Sequence, residues 1–400
     1  MVVGWGHRKL KRIEGGICAV DGVRACGVKR GKYGVALIAA RGAATGVFTT
    51  NKIRAAPLDV TAENLKVSEA WLEGVIANSG CANAYTGPRG AEDARWMAGL
   101  LAKTLGVGAE KIGIASTGVI GRYLDRDLMA ELFNEAKARL RSDSEASGEA
   151  ARAIMTTDTK VKEIAVEHAG FRVAGITKGS GMIEPNMATM LAFLYTDAKI
   201  SSEALCDCLT EAVDESFNML IVDGDTSTND MVLITATGKV DCDLDQFKEA
   251  LNYVCIELAK MMAKDGEGAT KLVEMLVSGA RNQDDARQVA KTIMRSSLVK
   301  TAIFGNDPNW GRIVAAAGRS GADLDPEKIA LSISAAGRKG EVFLVKDGRI
   351  VEGVLEEAEE VMRSEELLIS LDLGLGDASA RAFGCDLSYD YVRINAEYTS

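Results

Sequence analysis

Apolar positions recur along this chain with two periods, and the period changes back and forth from one end to the other. Short apolar runs at 35–39, 75–77, 112–115 and 190–195 read as buried strands. Alternating runs at 163–166 and 171–176 flank His168-Ala-Gly170 and read as a hairpin. Leu128, Leu132, Ala136 and Leu140 fall one turn apart, which predicts an amphipathic helix over 127–140. The same spacing fits helices over 92–105, 202–217 and 244–262, while the polar stretch 142–149 is a loop or the start of a helix reaching 154. Near 280 the pattern shifts to a charged helix, then to an apolar run at 342–345 and Ile350 around an Asp347-Gly348 hairpin turn. The pattern by itself specifies a mixed α/β class with a soft boundary near residue 280.

Composition narrows the function classes. A chain of 400 residues, 47% of them hydrophobic, can bury about three-quarters of its unfolded surface, enough for more than one core. A formal net charge of −10 favours solubility and offers no basic surface for nucleic acid. No apolar run approaches membrane-spanning length, and the first residues lack the apolar core of a secretion signal, so the expected place is the cytoplasm. The eight cysteines form no CxxC pair; Cys206 and Cys208 lie on a helical pattern and read as thiols of a reducing compartment. The acidic string Asp223-Gly-Asp-Thr-Ser-Thr-Asn229 has calcium-like carboxylates but not the spacing of a calcium loop, and no metal is expected.

One segment carries chemistry: Lys178-Gly-Ser-Gly-Met-Ile-Glu-Pro-Asn-Met-Ala-Thr189, followed by the strand-like run Met190-Leu-Ala-Phe-Leu-Tyr195. A threonine hydroxyl needs a base, usually histidine. The chain has two histidines, His7 in a polar N-terminal stretch and His168 in the hairpin, both read as surface or turn residues. The other base is the α-amine of the threonine itself, whose free pKa of about 7.7–8.0 leaves it partly neutral near physiological pH. That amine exists only if the chain is cut between Ala188 and Thr189. Gly179, Ser180 and Gly181 give a pliable approach to the cut, and Pro185 biases Glu184 away from helix.

The whole chain resembles the ornithine acetyltransferase family, also called glutamate N-acetyltransferases, of arginine biosynthesis. Its landmarks are Phe48-Thr-Thr-Asn-Lys-Ile-Arg-Ala-Ala-Pro57, Asn78-Ser-Gly-Cys-Ala-Asn83, Ser116-Thr-Gly-Val-Ile-Gly121, Met155-Thr-Thr-Asp-Thr159, the segment before Thr189, the acidic string at 223–229, Gly305-Asn-Asp-Pro-Asn-Trp-Gly-Arg312 and the terminal Tyr391-Val-Arg-Ile-Asn-Ala-Glu-Tyr-Thr-Ser400. Cys81 and Tyr85 stand where the family has smaller or amide residues, and Ser400 where threonine is frequent; neither change removes a group the chemistry needs.

The resemblance implies an αββα sandwich like that of N-terminal nucleophile hydrolases but differently connected, as a catalytic domain over 1–280. A smaller C-terminal α/β domain over 281–400 would return its tail to the site. It implies self-cleavage into chains 1–188 and 189–400, which stay together, two of each forming a heterotetramer. Thr189 would be the nucleophile, accepting acetyl from N-acetylornithine and passing it to glutamate by a ping-pong route, with Thr117 and Gly118 as oxyanion donors. Lys178 would meet a substrate carboxylate, and Glu267 would meet an ammonium or polarise the attacking amine. Thr156 or Thr157, Asn395 and Ser400 would complete the substrate contacts, and the Gly305 to Arg312 string would be a structural loop near the site, with Asn306 or Arg312 as contacts. No cofactor is implied; family members differ in whether acetyl-CoA is also a donor, and no residue here decides. Two rival readings are a related aminopeptidase or amidohydrolase, in which water takes the acyl group, and a noncatalytic binding protein whose glycine loops are turns.

Overall fold

The computed structural model describes residues 10–184 and 190–397, organised by two sheets. The first contains β1 (Lys11–Ile13), β2 (Arg24–Arg30), β3 (Tyr33–Phe48), β4 (Trp71–Cys81), β5 (Ile112–Val119), β6 (Lys162–His168), β7 (Phe171–Lys178), β8 (Leu191–Lys199) and, after β9 (Leu220–Ile221) of the second sheet, β10 (Met231–Asp241). Its order is β1-β6-β7-β8-β10-β3-β4-β5, with β2 also on β3. The second sheet takes β9 and β11 (Leu272–Ala280) from before residue 281, and β12 (Ala330–Ala335), β13 (Val342–Lys346), β14 (Arg349–Ile350), β15 (Glu366–Asp372) and β16 (Ala378–Cys385) from beyond it.

Eleven α-helices accompany them among the described residues: α1 (Ala56–Val67), α2 (Gly87–Leu105), α3 (Arg126–Lys137), α4 (Ser144–Ile154), α5 (Ser202–Glu215), α6 (Leu244–Lys264), α7 (Gln283–Arg295), α8 (Ser297–Phe304), α9 (Trp310–Gly318), α10 (Leu355–Met362) and α11 (Tyr389–Glu397). Their starts are written in the sequence: the carboxylates of Asp125, Asp143 and Asp243 accept first-turn amides of α3, α4 and α6. That cap settles the stretch left open at 142–149, which is helix from Ser144 onward.

The first sheet doubles back on itself. Ile38 of β3, Ala77 of β4 and Ala115 of β5 share one buried cluster with Ala174 and Ile176 of β7 and Phe193 of β8, from the other end of the same sheet. Strands so far apart in the order touch only when the two halves face each other. The bend falls in β3, which is 16 residues long and shifts register against β4 between Ala39 and Gly42. Outside the β2–β5 half lie α2 and α3, through Met97, Leu101, Leu132 and Phe133; outside the other half lie α5 and α6, through Leu209, Val213, Phe247 and Leu258. The result is a helix–sheet–sheet–helix sandwich. The far side of α6 meets the second sheet, whose Leu272 and Phe383 join the same cluster, and α7 to α10 cover that sheet's opposite core.

His168 differs from its sequence reading. It is the last residue of β6, only 4% exposed, with its ring edge-on to Phe171 at 5.9 Å. The turn itself is only Ala169 and Gly170, both with positive φ, so the histidine is still within the pairing and faces inward. His7 lies outside the described residues.

Four strands cross at one row: Lys178 of β7 pairs with Leu191 of β8, Leu191 with Met231 of β10, and Met231 with Phe48 of β3. Strands β8 and β10, which follow residue 189, therefore sit between β7 and β3, which precede it. A chain cut at 188/189 is expected to remain one particle: both pieces should co-elute in native size-exclusion chromatography and separate only in denaturant. Separate elution in native buffer would contradict this strand order.

Candidate active site

The residues just past that four-strand row build the site. Lys178 ends β7, and its side chain is 4% exposed. Its Nζ donates to Thr156 Oγ1 at 2.9 Å and to Thr117 Oγ1 at 3.4 Å. Thr117 belongs to β5 in the opposite half, so this ammonium bridges the two layers. Gly118 follows with φ 129°; a Cβ there would lie 2.5 Å from the Gly80 carbonyl carbon and 2.7 Å from the Cys81 nitrogen. Only glycine lets β4 and β5 run this close. Asn229 ties the layers as well, its Nδ2 donating to the carbonyls of Ala82 at 2.6 Å and Ser116 at 2.8 Å.

Behind Lys178 lies a buried set of charges. Lys162 Nζ reaches Asp158 Oδ1 at 2.7 Å and Asp265 Oδ2 at 2.5 Å, and Lys178 Nζ stands 3.9 Å from Asp158 Oδ2. Burial alone would raise the Asp158 carboxyl, but Lys178, Lys162 and the Gly179 amide overcome it and hold it well below the usual carboxylate range. Burial lowers the Lys178 ammonium, against the opposing pull of Asp158, Asp230 and Glu267.

A second group gathers after α6. The Glu267 amide donates to the Ser180 carbonyl at 2.8 Å, and its carboxylate accepts Asn395 Nδ2 of α11 at 2.8 Å. A Cβ on Gly181 would sit 2.4 Å from the Glu267 carboxyl carbon, so the glycine admits this carboxylate. Thr157 turns the other way from Thr156: its hydroxyl meets Ser180 Oγ at 2.7 Å. Thr117, Thr156 and Lys178 thus form one cluster and Glu267 with Asn395 another, joined by residues 179–181. Ala188, Thr189 and Ser400 lie outside the described residues.

The acidic string at 223–229 serves the backbone. Asp223 accepts the amides of Met182 at 2.6 Å and Ile183 at 2.7 Å, and the Glu184 carbonyl accepts the Thr226 hydroxyl at 2.9 Å. Just before β8, the Met190 amide donates to Asp230 Oδ1 at 2.8 Å while its carbonyl accepts from the Met231 amide at 2.9 Å. Burial pushes the Asp230 carboxyl well above its ordinary range, outweighing the Met190 amide, the nearby Thr49 hydroxyl and Lys178. Its Oδ2 has no hydrogen-bond partner among the described residues. The Gly305 to Arg312 string is elsewhere engaged: it joins α8 to α9, Arg312 donates to the Leu298 carbonyl at 2.8 Å, and Trp310 packs on the second-sheet core.

Sequence reasoning missed Asp158, Lys162, Asp265, Asp230 and Asn229. Charged residues are ordinarily solvated, and only the places of Asp158 inside the string Met155 to Thr159 and of Asn229 at the end of the acidic string hinted otherwise. Burial also divides two residues that the sequence treated alike. Lys178→Ala removes a counter-charge from buried Asp158 and is expected to cost roughly 3 kcal/mol of stability as well as turnover. Glu267→Ala, at a half-buried position, should leave stability nearly unchanged and lose turnover. Denaturant unfolding of both variants checks this; a Lys178→Ala protein as stable as wild type would contradict the buried pairing.

The ArgJ family profile covers residues 20–400. A glutamate N-acetyltransferase of Methanosarcina mazei is 56% identical over 399 residues, spanning 98% of this chain and 100% of that protein. The arginine biosynthesis bifunctional protein ArgJ of Archaeoglobus fulgidus is 51% identical over 385 residues, spanning 96% and 100%. Among solved structures, the arginine biosynthesis bifunctional protein ArgJ of Bacillus halodurans is 43% identical, covering 52% of this chain and 98% of that one, with a TM-score of 0.48. With the profile and both relatives matching nearly end to end, this chain belongs to the ArgJ family.

Proposed function

We propose that the protein is a self-processing glutamate N-acetyltransferase that moves an acetyl group from N2-acetyl-L-ornithine to L-glutamate through an acetyl ester on Thr189. The observation that carries this reading is the match to a protein named glutamate N-acetyltransferase over 98% of the chain. The geometry on either side of residues 185–189 supports it, since Gly179 after Lys178 and Met190 before β8 are both held by buried hydrogen bonds.

In maturation, the Thr189 hydroxyl attacks the Ala188 carbonyl carbon. The C–N bond breaks, the nitrogen takes the proton, and the resulting ester is hydrolysed by water to leave a free Thr189 amine. In turnover that amine accepts the hydroxyl proton as Oγ attacks the acetyl carbonyl of acetylornithine. The proton passes to the departing nitrogen and ornithine leaves. The glutamate amine then attacks the ester, its proton goes to Oγ, and N-acetylglutamate departs. Acyl exchange between oxygen and nitrogen calls for no redox group or cofactor.

Each tetrahedral intermediate carries an oxyanion, which Thr117 Oγ1 and the Gly118 amide would stabilise. Lys178 donates to that same threonine hydroxyl, so its charge acts at the oxyanion position as well as on a substrate carboxylate. Thr156 is the member of its pair that reaches Lys178, which supports Thr156 over Thr157 as the substrate contact. Glu267 and Asn395 would hold the ammonium end of ornithine, with Ser400 beyond them. The two chains would work in the cytoplasm as a heterotetramer.

Intact mass under denaturing conditions tests maturation: wild type should give chains 1–188 and 189–400, and Thr189→Ala a single uncut chain. Uncut wild type would remove the amine base on which the mechanism depends. In matured protein, Thr117→Ala should lower acetyl transfer by ~10²- to 10³-fold. Product analysis with acetylornithine and glutamate should yield N-acetylglutamate; free acetate as the main product would favour the hydrolase reading instead.

A further inference from the structure

Four ionisable side chains behind the site are buried together with no net charge: Lys162 at 1% exposure, Lys178 at 4%, Asp265 at 4% and Asp158 at 0%. Burying an ion costs several kcal/mol after relaxation, and such groups persist where pairing and further hydrogen bonds offset that cost. Both carboxylates have those bonds. Asp158 accepts the Thr156 amide at 3.0 Å and the Gly179 amide at 2.6 Å, while Asp265 accepts the amides of Thr159 at 3.0 Å and Lys160 at 3.2 Å and the Thr159 hydroxyl.

The placement of these bonds is specific. The two amides that Asp158 holds belong to Thr156, whose hydroxyl meets Lys178, and to Gly179, the residue after Lys178. The carboxylate therefore grips the backbone on both sides of the Thr156–Lys178 contact. Asp265 lies two residues before Glu267 in the turn that ends α6, and it grips the 159–160 backbone, so the turn is fastened to the same loop. Lys162 joins the two carboxylates directly.

We propose that Asp158 is a positioning residue for Lys178, and that through Lys162 and Asp265 the same buried network fixes the turn that carries Glu267. The two charges expected to face opposite ends of an amino-acid substrate are thereby set at a defined spacing by one rigid unit. This deepens the acetyltransferase reading of the site and rests on it for the substrate. The network itself can be tested without turnover.

The charged groups facing Lys178 are Asp158 from the loop after α4, Lys162 from β6, Asp230 ahead of β10, Glu267 after α6 and Lys29 from β2. Removing the negative charge in Asp158→Asn keeps the shape and takes away an attraction, so the Lys178 ammonium should lose its proton at lower pH. Removing the like charge in Lys162→Met takes away a repulsion, so Lys178 should lose its proton at higher pH. The experiment is an NMR titration of the Lys178 13Cε signal in wild type, Asp158→Asn and Lys162→Met, beside pH profiles of acetyl transfer.

Expected are shifts of opposite sign in the two variants, a matching movement of the alkaline limb of kcat/KM, and a fall of about 10²-fold in kcat/KM for Asp158→Asn from the displaced contacts. Loss of stability alone would move neither titration in this signed way. Either folded variant decides: an unmoved Lys178 titration, or shifts of the same sign, overturns the proposal. Opposed shifts in a wild type that transfers no acetyl group would instead uphold the network and overturn the substrate reading.

Discussion

The main-chain ladder through β7, β8, β10 and β3 is the constraint on which the rest of the molecule depends. It places the last residue of β7, the first of β8, the first of β10 and the last of β3 in one row. Lys178 ends β7 at that row, and Thr117 of β5 faces it from the opposite half of the sandwich. Because β3 also runs on through its bend into the opposite half of the sandwich, the same ladder sets how far β5 stands from β7. The distance from Lys178 to Thr117 is thus a property of the sheet and its side-chain fit. A loop-built site would have had to fix that distance by packing alone.

Around this row the protein handles charge in two ways. Lys178, Lys162, Asp158 and Asp265 compensate one another, and every carboxylate among them also holds backbone amides. Among the described residues Asp230 has no such cationic partner in hydrogen-bond contact, and burial favours its neutral form. A neutral carboxyl can donate as well as accept, whereas the paired carboxylates can only accept. Acids of both kinds act on Lys178.

Much of this could be read in the sequence, and what could not has physical causes. Continuous apolar runs exposed the strands at 112–115 and 190–195, and 3.6-residue spacing exposed α3 and α6, because period follows directly from which face is buried. The stretch 142–149 stayed open between loop and helix because the apolar face of α4 is made largely of alanines with little contrast to a polar loop. The doubling of the first sheet was not legible in periodicity at all: it depends on a register shift in β3 and on contacts between residues more than a hundred positions apart. Motif strings located Thr117, Lys178 and Glu267 as candidates, but Lys162 and Asp265 have partners in three dimensions that spacing does not reveal. His168 was misread for a related reason, because two turn residues suffice for its hairpin and leave it inside the strand.

The order of strands also bears on how the chain must be made. During synthesis β3 emerges well before β10 and lacks one neighbour until residue 241 is available, while β7 waits for β8, complete at residue 199. Unpaired edges rich in apolar residues recruit strands from other chains. Residues 1–188 produced as a free polypeptide would keep both edges bare for its whole lifetime, exposed to aggregation. Encoding both pieces as one continuous chain brings the covering strands to the site of need in equal amounts and at high local concentration, so that the vulnerable interval lasts only as long as the ribosome takes to deliver them.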